Sequence, residues 1–260
     1  MELTLQDKVA IVTGGRQGLG RVMCETFLNE GASVVTCARD GAGLAAVVQD
    51  WQKTHGERIT GMQADVSRLD EIERLVAAAT DNYGGVDLLV NNAATSASGT
   101  TATLTEEQWR LEIDVKLMSM VRTARLCAPI MKSRGGGSII NINAIFARQP
   151  DMTFYASSVA RAGSLSLTKL LAKEFAADGI RANAIGLGLI ATDAWKAWYD
   201  PSTGSYEEYL QGHAKAYGVP MGRLGDPQEV ANLVLFLCSG AAPYISGTQI
   251  DIDGALAAYL

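Results

Sequence analysis

The most chemically suggestive stretch lies near the start of the chain. An apolar, β-branched run, Val9-Ala10-Ile11-Val12-Thr13, passes directly into Gly14-Gly15-Arg16-Gln17-Gly18-Leu19-Gly20. Glycines let a backbone turn tightly and approach a pyrophosphate, and a helix opening at Gly18 adds free amides and a positive dipole end. The strand–turn–helix context separates a phosphate cradle from an ordinary glycine turn. Other reactive residue types are sparse. His55 and His213 are the only histidines, and neither has a companion at ligand spacing, so no metal site is expected. Cys24, Cys37, Cys127 and Cys238 are scattered without CxxC spacing and read as buried thiols in a reducing compartment.

The elements that must position this turn alternate along the whole chain. Lys8–Thr13, Ser33–Ala38, Arg58–Ala64, Val86–Val90, Ser138–Asn143, Arg181–Ile185 and Thr248–Ile252 read as strands. Gly18–Asn29, Leu69–Tyr83, Glu106–Lys132, Val159–Ala177 and Pro227–Ser239 read as helices. Strands alternating with helices imply right-handed βαβ units and one doubly wound α/β domain spanning 1–260, with a parallel sheet of about seven strands and helices on both faces. The segment 193–220 departs from the pattern: it contains Pro201 and Gly204 and is rich in tryptophan and tyrosine. It reads as an irregular lid over the substrate side, suited to a bulky or aromatic small molecule, although mutual packing of its rings explains the composition equally well. A net charge of −6 without a basic stripe argues against nucleic acid. The segment Met1–Lys8 lacks an apolar signal, and no run nears the ~18 residues of a membrane span, so a cytoplasmic location away from membranes is expected.

Thr13-Gly14-x-x-x-Gly18-x-Gly20 resembles the TGxxxGxG signature of the short-chain dehydrogenases/reductases, and the resemblance continues from Lys8 to Gly254. Asp65-Val66 resembles the pair that contacts adenine. Asn91-Asn92-Ala93-Ala94 resembles NNAG, with Ala94 for the glycine. Gly188-Leu189-Ile190-Ala191-Thr192 resembles PGxxxT, with Leu187 for the proline. Met221–Ala231 and Ile245–Gly254 resemble the C-terminal signatures. The resemblance implies a nicotinamide dinucleotide held by Gly14, Arg16, Gly18, Leu19, Gly20, Arg39, Asp65, Val66, Asn91 and Thr192. It also implies hydride exchange between a hydroxyl and a carbonyl, in dimers or tetramers. The second strand closes on Ala38 where NAD-preferring members carry an acid, and Arg39 follows, which suits the 2′-phosphate of NADP; Asp40 keeps NAD open.

Family members use an Asn, a Ser and a Tyr-x-x-x-Lys. Tyr155 invites assignment as the acid, but four residues on stands Val159. Ile139-Ile140-Asn141-Ile142-Asn143-Ala144 resembles I-x-N-I-S-S and sets Ala144 at the serine. Counting back without a gap from Gly179-Ile180-Arg181-Ala182-Asn183 sets Arg161 at the lysine and Ser157 at the tyrosine. Ile113-Asp114-Val115-Lys116-Leu117 resembles D-V-N-L and sets Lys116 at the asparagine. All four positions, Lys116, Ala144, Ser157 and Arg161, are thus substituted. A serine without an activating base is a poor substitute for a phenol. Arg161 stays protonated but can hold a ribose hydroxyl or phosphate. Ala144 offers an oxyanion nothing, and Lys116 beside Arg161 should have a depressed pKa.

Three readings follow. The first is a non-catalytic subunit, with a kept or vestigial nucleotide cleft, paired with an active paralogue; hydroxyacyl-CoA oxidoreduction by unlike subunits is one such setting. The apolar segments Glu106–Lys132, Val159–Ala177 and Thr248–Leu260 would supply its contacts, or those of a homo-oligomer. The second is an active oxidoreductase using a displaced Tyr155, which a helix would turn about 200° away from Ser157. The third is non-redox lyase or cyclase chemistry with Lys116 as base or anion anchor.

Overall fold

The computed structural model describes residues 3–259. In chain order the regular elements are β1 (Val9–Thr13), α1 (Gly18–Asn29), β2 (Ser33–Ala38), α2 (Gly41–His55), β3 (Ile59–Gln63), α3 (Leu69–Tyr83), β4 (Leu88–Asn91) and α4 (Glu106–Ile113). They continue with α5 (Ser119–Ser133), β5 (Gly137–Ala144), α6 (Tyr155–Glu174), β6 (Ile180–Leu187), α7 (Tyr206–Ala216), α8 (Pro227–Cys238) and β7 (Gln249–Ile252). The seven strands form one sheet in the order β3-β2-β1-β4-β5-β6-β7. Every pairing is parallel.

Both faces of this sheet are covered, as parallel sheets require. The alternation of β1 shows how: Ala10 and Val12 enter one core with Met23, Phe27, Leu44 and Val234 of α1, α2 and α8. Val9 and Ile11 enter the other with Ile72, Leu75, Met131 and Leu171 of α3, α5 and α6. Chain order reverses between β1 and β4, so the crevice beyond their C-terminal ends is the natural ligand site of a doubly wound sheet.

Three local features differ from the sequence expectation. α2 was not anticipated. Asp40 caps it by accepting from Gly43 N–H at 3.0 Å, and it buries Leu44, Val48 and Trp51 at spacings of four and three residues. The helix expected over Glu106–Lys132 is interrupted between α4 and α5, where Asp114–Met118 widens into a π turn and Ser119 N–H bonds Asp114 O; such turns re-aim side chains and recur at functional sites. The segment 193–220 is mostly helical. Ser205 and Glu208 form a capping box on α7, and Ala214, Val219 and Leu224 make a small core of their own.

Under the crevice runs a buried polar network. Asn91 donates to Asn141 Oδ1 at 2.8 Å and accepts from Thr123 Oγ1 at 2.8 Å, while Asn141 donates to Thr168 Oγ1 at 2.9 Å. It joins β4 and β5 to α5 and α6, and all four residues are buried. Asn141→Leu keeps the volume but strands the amide of Asn91, and is expected to lower unfolding free energy in urea by about 2–3 kcal/mol. An unchanged midpoint would show that the network is dispensable.

Candidate active site

A cleft of about 650 Å³ opens beyond the C-terminal ends of β1, β2 and β4. Gly14 (φ +79°) and Gly18 (φ +55°) turn its floor through left-handed backbone. Gly14 and Gly15 N–H donate to Cys37 O at 3.0 and 3.2 Å, which ties the turn to β2. α1 has no side-chain cap and no acid in its first turn, so its N-terminal amides and positive end face the cleft unopposed. These features fit a dinucleotide pyrophosphate.

Of the expected nucleotide contacts, Gly14, Arg16, Gly18, Leu19, Arg39, Asp65, Val66 and Thr192 all line this cleft. Gly20 and Asn91 lie behind it. A Cβ at Gly20 would run into Gly14 O, so this glycine lets helix and turn pack. Asn91 belongs to the network under the sheet. Its neighbour Asn92 is the lining residue; its side chain donates to Thr13 O at 2.9 Å, while Thr13 Oγ1 accepts from Asn92 and Ala93 N–H at 3.0 Å. At the β2 end of the cleft, Asp40 caps α2 and lies 3.5 Å from Arg16, which engages the acid and leaves the Arg39 side chain exposed along the cleft.

The opposite end is assembled by the π turn, α6 and the end of β5. Lys116 is 3% exposed, and its Nζ donates to Ser157 Oγ at 2.7 Å and to Glu112 Oε2. Glu112 is 1% exposed, and its other oxygen accepts from Thr95 Oγ1 at 2.7 Å. Arg161 lines the cleft one helical turn beyond Ser157 and reaches Ile142 O at 3.3 Å. Burial first, then the Arg161 guanidinium, pull the Lys116 ammonium down to about 8, against the opposing pull of Glu112. Burial also lowers Arg161 to about 10, which leaves it protonated at neutral pH.

Of the four positions singled out in the sequence, Lys116, Ser157 and Arg161 form one cluster, and Ala144 adds only a buried methyl group. Tyr155 stands apart. It opens α6 and lies edge-on to Trp109 with ring centroids 6.2 Å apart; like the more deeply buried Lys116 and Ser157, it lies behind the cleft wall, which Arg161 lines. The aromatic residues of 193–220 largely pack on one another: Trp195 with His213 at 4.9 Å, Tyr209 with His213 at 4.5 Å, and Tyr199 with Tyr206 at 5.1 Å. From that segment the cleft receives Asp193, Ala194 and Ala197. The C-terminal tail is also engaged within the chain. Leu256 packs on the small core beside α7, and Tyr259 Oη donates to Asp251 at 3.0 Å; Leu260 and the first two residues of Met1–Lys8 lie outside the described residues. Among the described residues, no group of three metal-ligating side chains forms and no helix is long and apolar enough to cross a membrane.

Sequence reasoning missed Glu112 and Thr95. The available signal was Glu112 four residues before Lys116, the spacing of a helical ion pair. Removing Lys116 should leave Glu112 Oε2 and Ser157 Oγ buried without their donor. Lys116→Met is expected to destabilise the protein by about 3 kcal/mol in urea at pH 7, and Glu112→Leu added to it should recover part of the loss. Strict additivity would show the two charges to be independent.

The family model for enoyl-(acyl carrier protein) reductase matches residues 14–256. The chain is 33% identical over 254 residues to the 3-oxoacyl-[acyl-carrier-protein] reductase FabG of Vibrio cholerae, covering 98% of this chain and 99% of that protein. The structure of L-sorbose reductase from Gluconobacter frateurii, complexed with NADPH and L-sorbose, superimposes with a TM-score of 0.94 at 33% identity, with 100% of each chain covered. The NADPH-bound structure of a short-chain oxidoreductase from Pseudomonas aeruginosa PAO1, described as containing an atypical catalytic center, does so with a TM-score of 0.93 at 33% identity, covering 99% of each chain. With seven parallel strands, a glycine turn at the switch point and relatives matched along their full length, the chain belongs to the short-chain dehydrogenase/reductase family.

Proposed function

We propose that the chain is an active NADP(H)-dependent oxidoreductase interconverting a hydroxyl and a carbonyl group, with its proton exchange carried by Lys116 and Ser157. The observation that carries this reading is the 2.7 Å contact from Lys116 Nζ to Ser157 Oγ inside a buried cluster, by a lysine lowered to about 8. That value is close to working pH, where a general acid and base is most effective. The two relatives solved with NADPH support the choice of cofactor.

Gly14, Gly18 and the start of α1 would hold the pyrophosphate. Arg16 and Arg39 would take the 2′-phosphate, Asp65 and Val66 the adenine, Thr192 the nicotinamide amide, and Arg161 the adjoining ribose. A bound nicotinamide dinucleotide supplies or accepts the hydride. In reduction, Ser157 gives its hydroxyl proton to the substrate oxygen as Lys116 replaces it from the ammonium. In oxidation the same protons move back, onto a neutral lysine. Arg161 holds charge without exchanging protons. With no donor at Ala144, Ser157 alone orients the substrate oxygen. The four free, buried cysteines accord with a cytoplasmic setting.

The reading as a non-catalytic subunit draws on Ala144 and on apolar side chains standing out of α6, where Val159 is 52% and Leu170 61% exposed, a face suited to a paralogue or a second copy. A carbonyl-substrate screen with NADPH and NADH, on the protein alone and with candidate paralogues, separates the readings. Turnover by the protein alone is expected, lowered at least about a hundredfold by Lys116→Met and less than about twofold by Tyr155→Phe. Binding of NADPH without turnover until a paralogue is added would support the subunit reading. Abolition by Tyr155→Phe would support the displaced tyrosine, and turnover without nucleotide the lyase reading.

The lysine also fixes the pH dependence. Reduction needs the ammonium, so its rate should fall about tenfold per pH unit above about 8. Oxidation needs the neutral amine and should rise through the same range. A reduction rate flat from pH 7 to 10 would exclude Lys116 as the acid.

A further inference from the structure

Resting on the oxidoreductase reading, one question remains open: how a lysine with 3% exposure recovers the proton it gives away in each reductive turnover. Arg161 does not serve, because a guanidinium keeps its protons. Ser157 leads back towards the substrate. The remaining hydrogen bond of Lys116 runs to Glu112 Oε2, and from Glu112 Oε1 a bond of 2.7 Å runs to Thr95 Oγ1. Thr95 lines the cleft. A line of contacts, Ser157–Lys116–Glu112–Thr95, thus runs from the buried hydroxyl assigned to the substrate out to the cleft wall at Thr95.

We infer that Thr95 and Glu112 form a proton conduit that reloads Lys116 from water in the cleft. A threonine hydroxyl both donates and accepts, so Thr95 can take a proton from a cleft water while passing its own to Glu112 Oε1. A half-turn of the carboxyl group about Cγ–Cδ then presents that proton to the neutral Nζ. Glu112 returns to carboxylate, Lys116 to ammonium, and the water is left as hydroxide for the solvent to neutralise. No electrons move. The charged groups facing Lys116 are Glu112 on α4 and Arg161 on α6, while Asp114, on the same widened turn, faces Arg122 of α5 at 3.1 Å. A neutral Lys116 leaves Glu112 and Arg161 as a balanced pair, which makes the unloaded state accessible. Thr95 and Glu112 are positioning and relay residues in this scheme; neither needs to touch the substrate.

Thr95→Val removes the hydroxyl and keeps the shape. The first readout needs no activity: exchange of the Lys116 Nζ protons with water, followed by nitrogen-15 NMR on lysine-labelled protein near pH 6. Exchange is expected to slow at least about tenfold in Thr95→Val and in Glu112→Gln, and to stay near the wild-type rate in Thr95→Ser. The second is kinetic. In Thr95→Val the first turnover of NADPH should stay within about twofold of wild type, because Lys116 starts loaded. Steady-state kcat should fall at least about tenfold with a larger solvent deuterium isotope effect, and Thr95→Ser should restore it. Wild-type exchange in Thr95→Val would overturn the conduit whether or not the protein turns over. A protein without turnover whose Lys116 exchange still depends on Thr95 would instead overturn the oxidoreductase reading and leave the conduit standing.

Discussion

Two cations and one carboxylate, Lys116, Arg161 and Glu112, lie together at the wall of the cleft, with Lys116 and Glu112 almost wholly buried. Such a group carries one proton more than its surroundings favour. The guanidinium holds its protons most firmly, so Lys116 yields one, which is why burial and Arg161 bring it to about 8. The cluster persists only if its members are held in place. The π turn buries Lys116 just beyond Glu112 of α4, the Asn91–Asn141–Thr168 network fixes α6 against β5, and Asn143 Nδ2 bonds the carbonyl of Arg161 at 3.2 Å. Loosening any of these would admit water and return the lysine to its ordinary range.

The sheet places this corner and the glycine turn on one rim. Both grow from the C-terminal ends of parallel strands around the switch between β1 and β4, so the cleft runs from Arg39 at one end to Arg161 at the other. At the end near Arg161, Lys116 on the π turn donates to Ser157 Oγ at 2.7 Å, at positions where the family resemblance would set an asparagine and a tyrosine.

Much of this was legible in the sequence. The glycine turn, the seven strands and the helices Gly18–Asn29 and Leu69–Tyr83 carry local signals of period and turn chemistry, and the structure places them where those signals point. Register alone sets Lys116, Ser157 and Arg161 at neighbouring positions, and the structure brings these three side chains together. What could not be read depends on burial that only tertiary packing decides. Glu112, in a stretch rich in charged residues, looks like a solvated helix acid; the structure instead buries it, with Lys116 and Thr95 as its partners. Asn91 looks like a ligand contact because it adjoins Asn92, yet strand alternation turns it into the network. α2 hides because its glycine-rich start dilutes its periodicity, and the rings of 193–220 suggest a ligand when they mostly pack on one another.

Whether the Lys116–Ser157 cluster is a working proton-exchange centre is tested most sharply by a pH titration of the Lys116 Nζ resonance by nitrogen-15 NMR, assigned by its loss in Lys116→Met. One lysine signal is expected to titrate near pH 8, well below its surface counterparts, with a midpoint that rises in Arg161→Gln as the neighbouring cation is removed. A Lys116 signal titrating with the surface lysines near the ordinary value of about 10.4, and unmoved by Arg161→Gln, would show that the cluster is not such a centre.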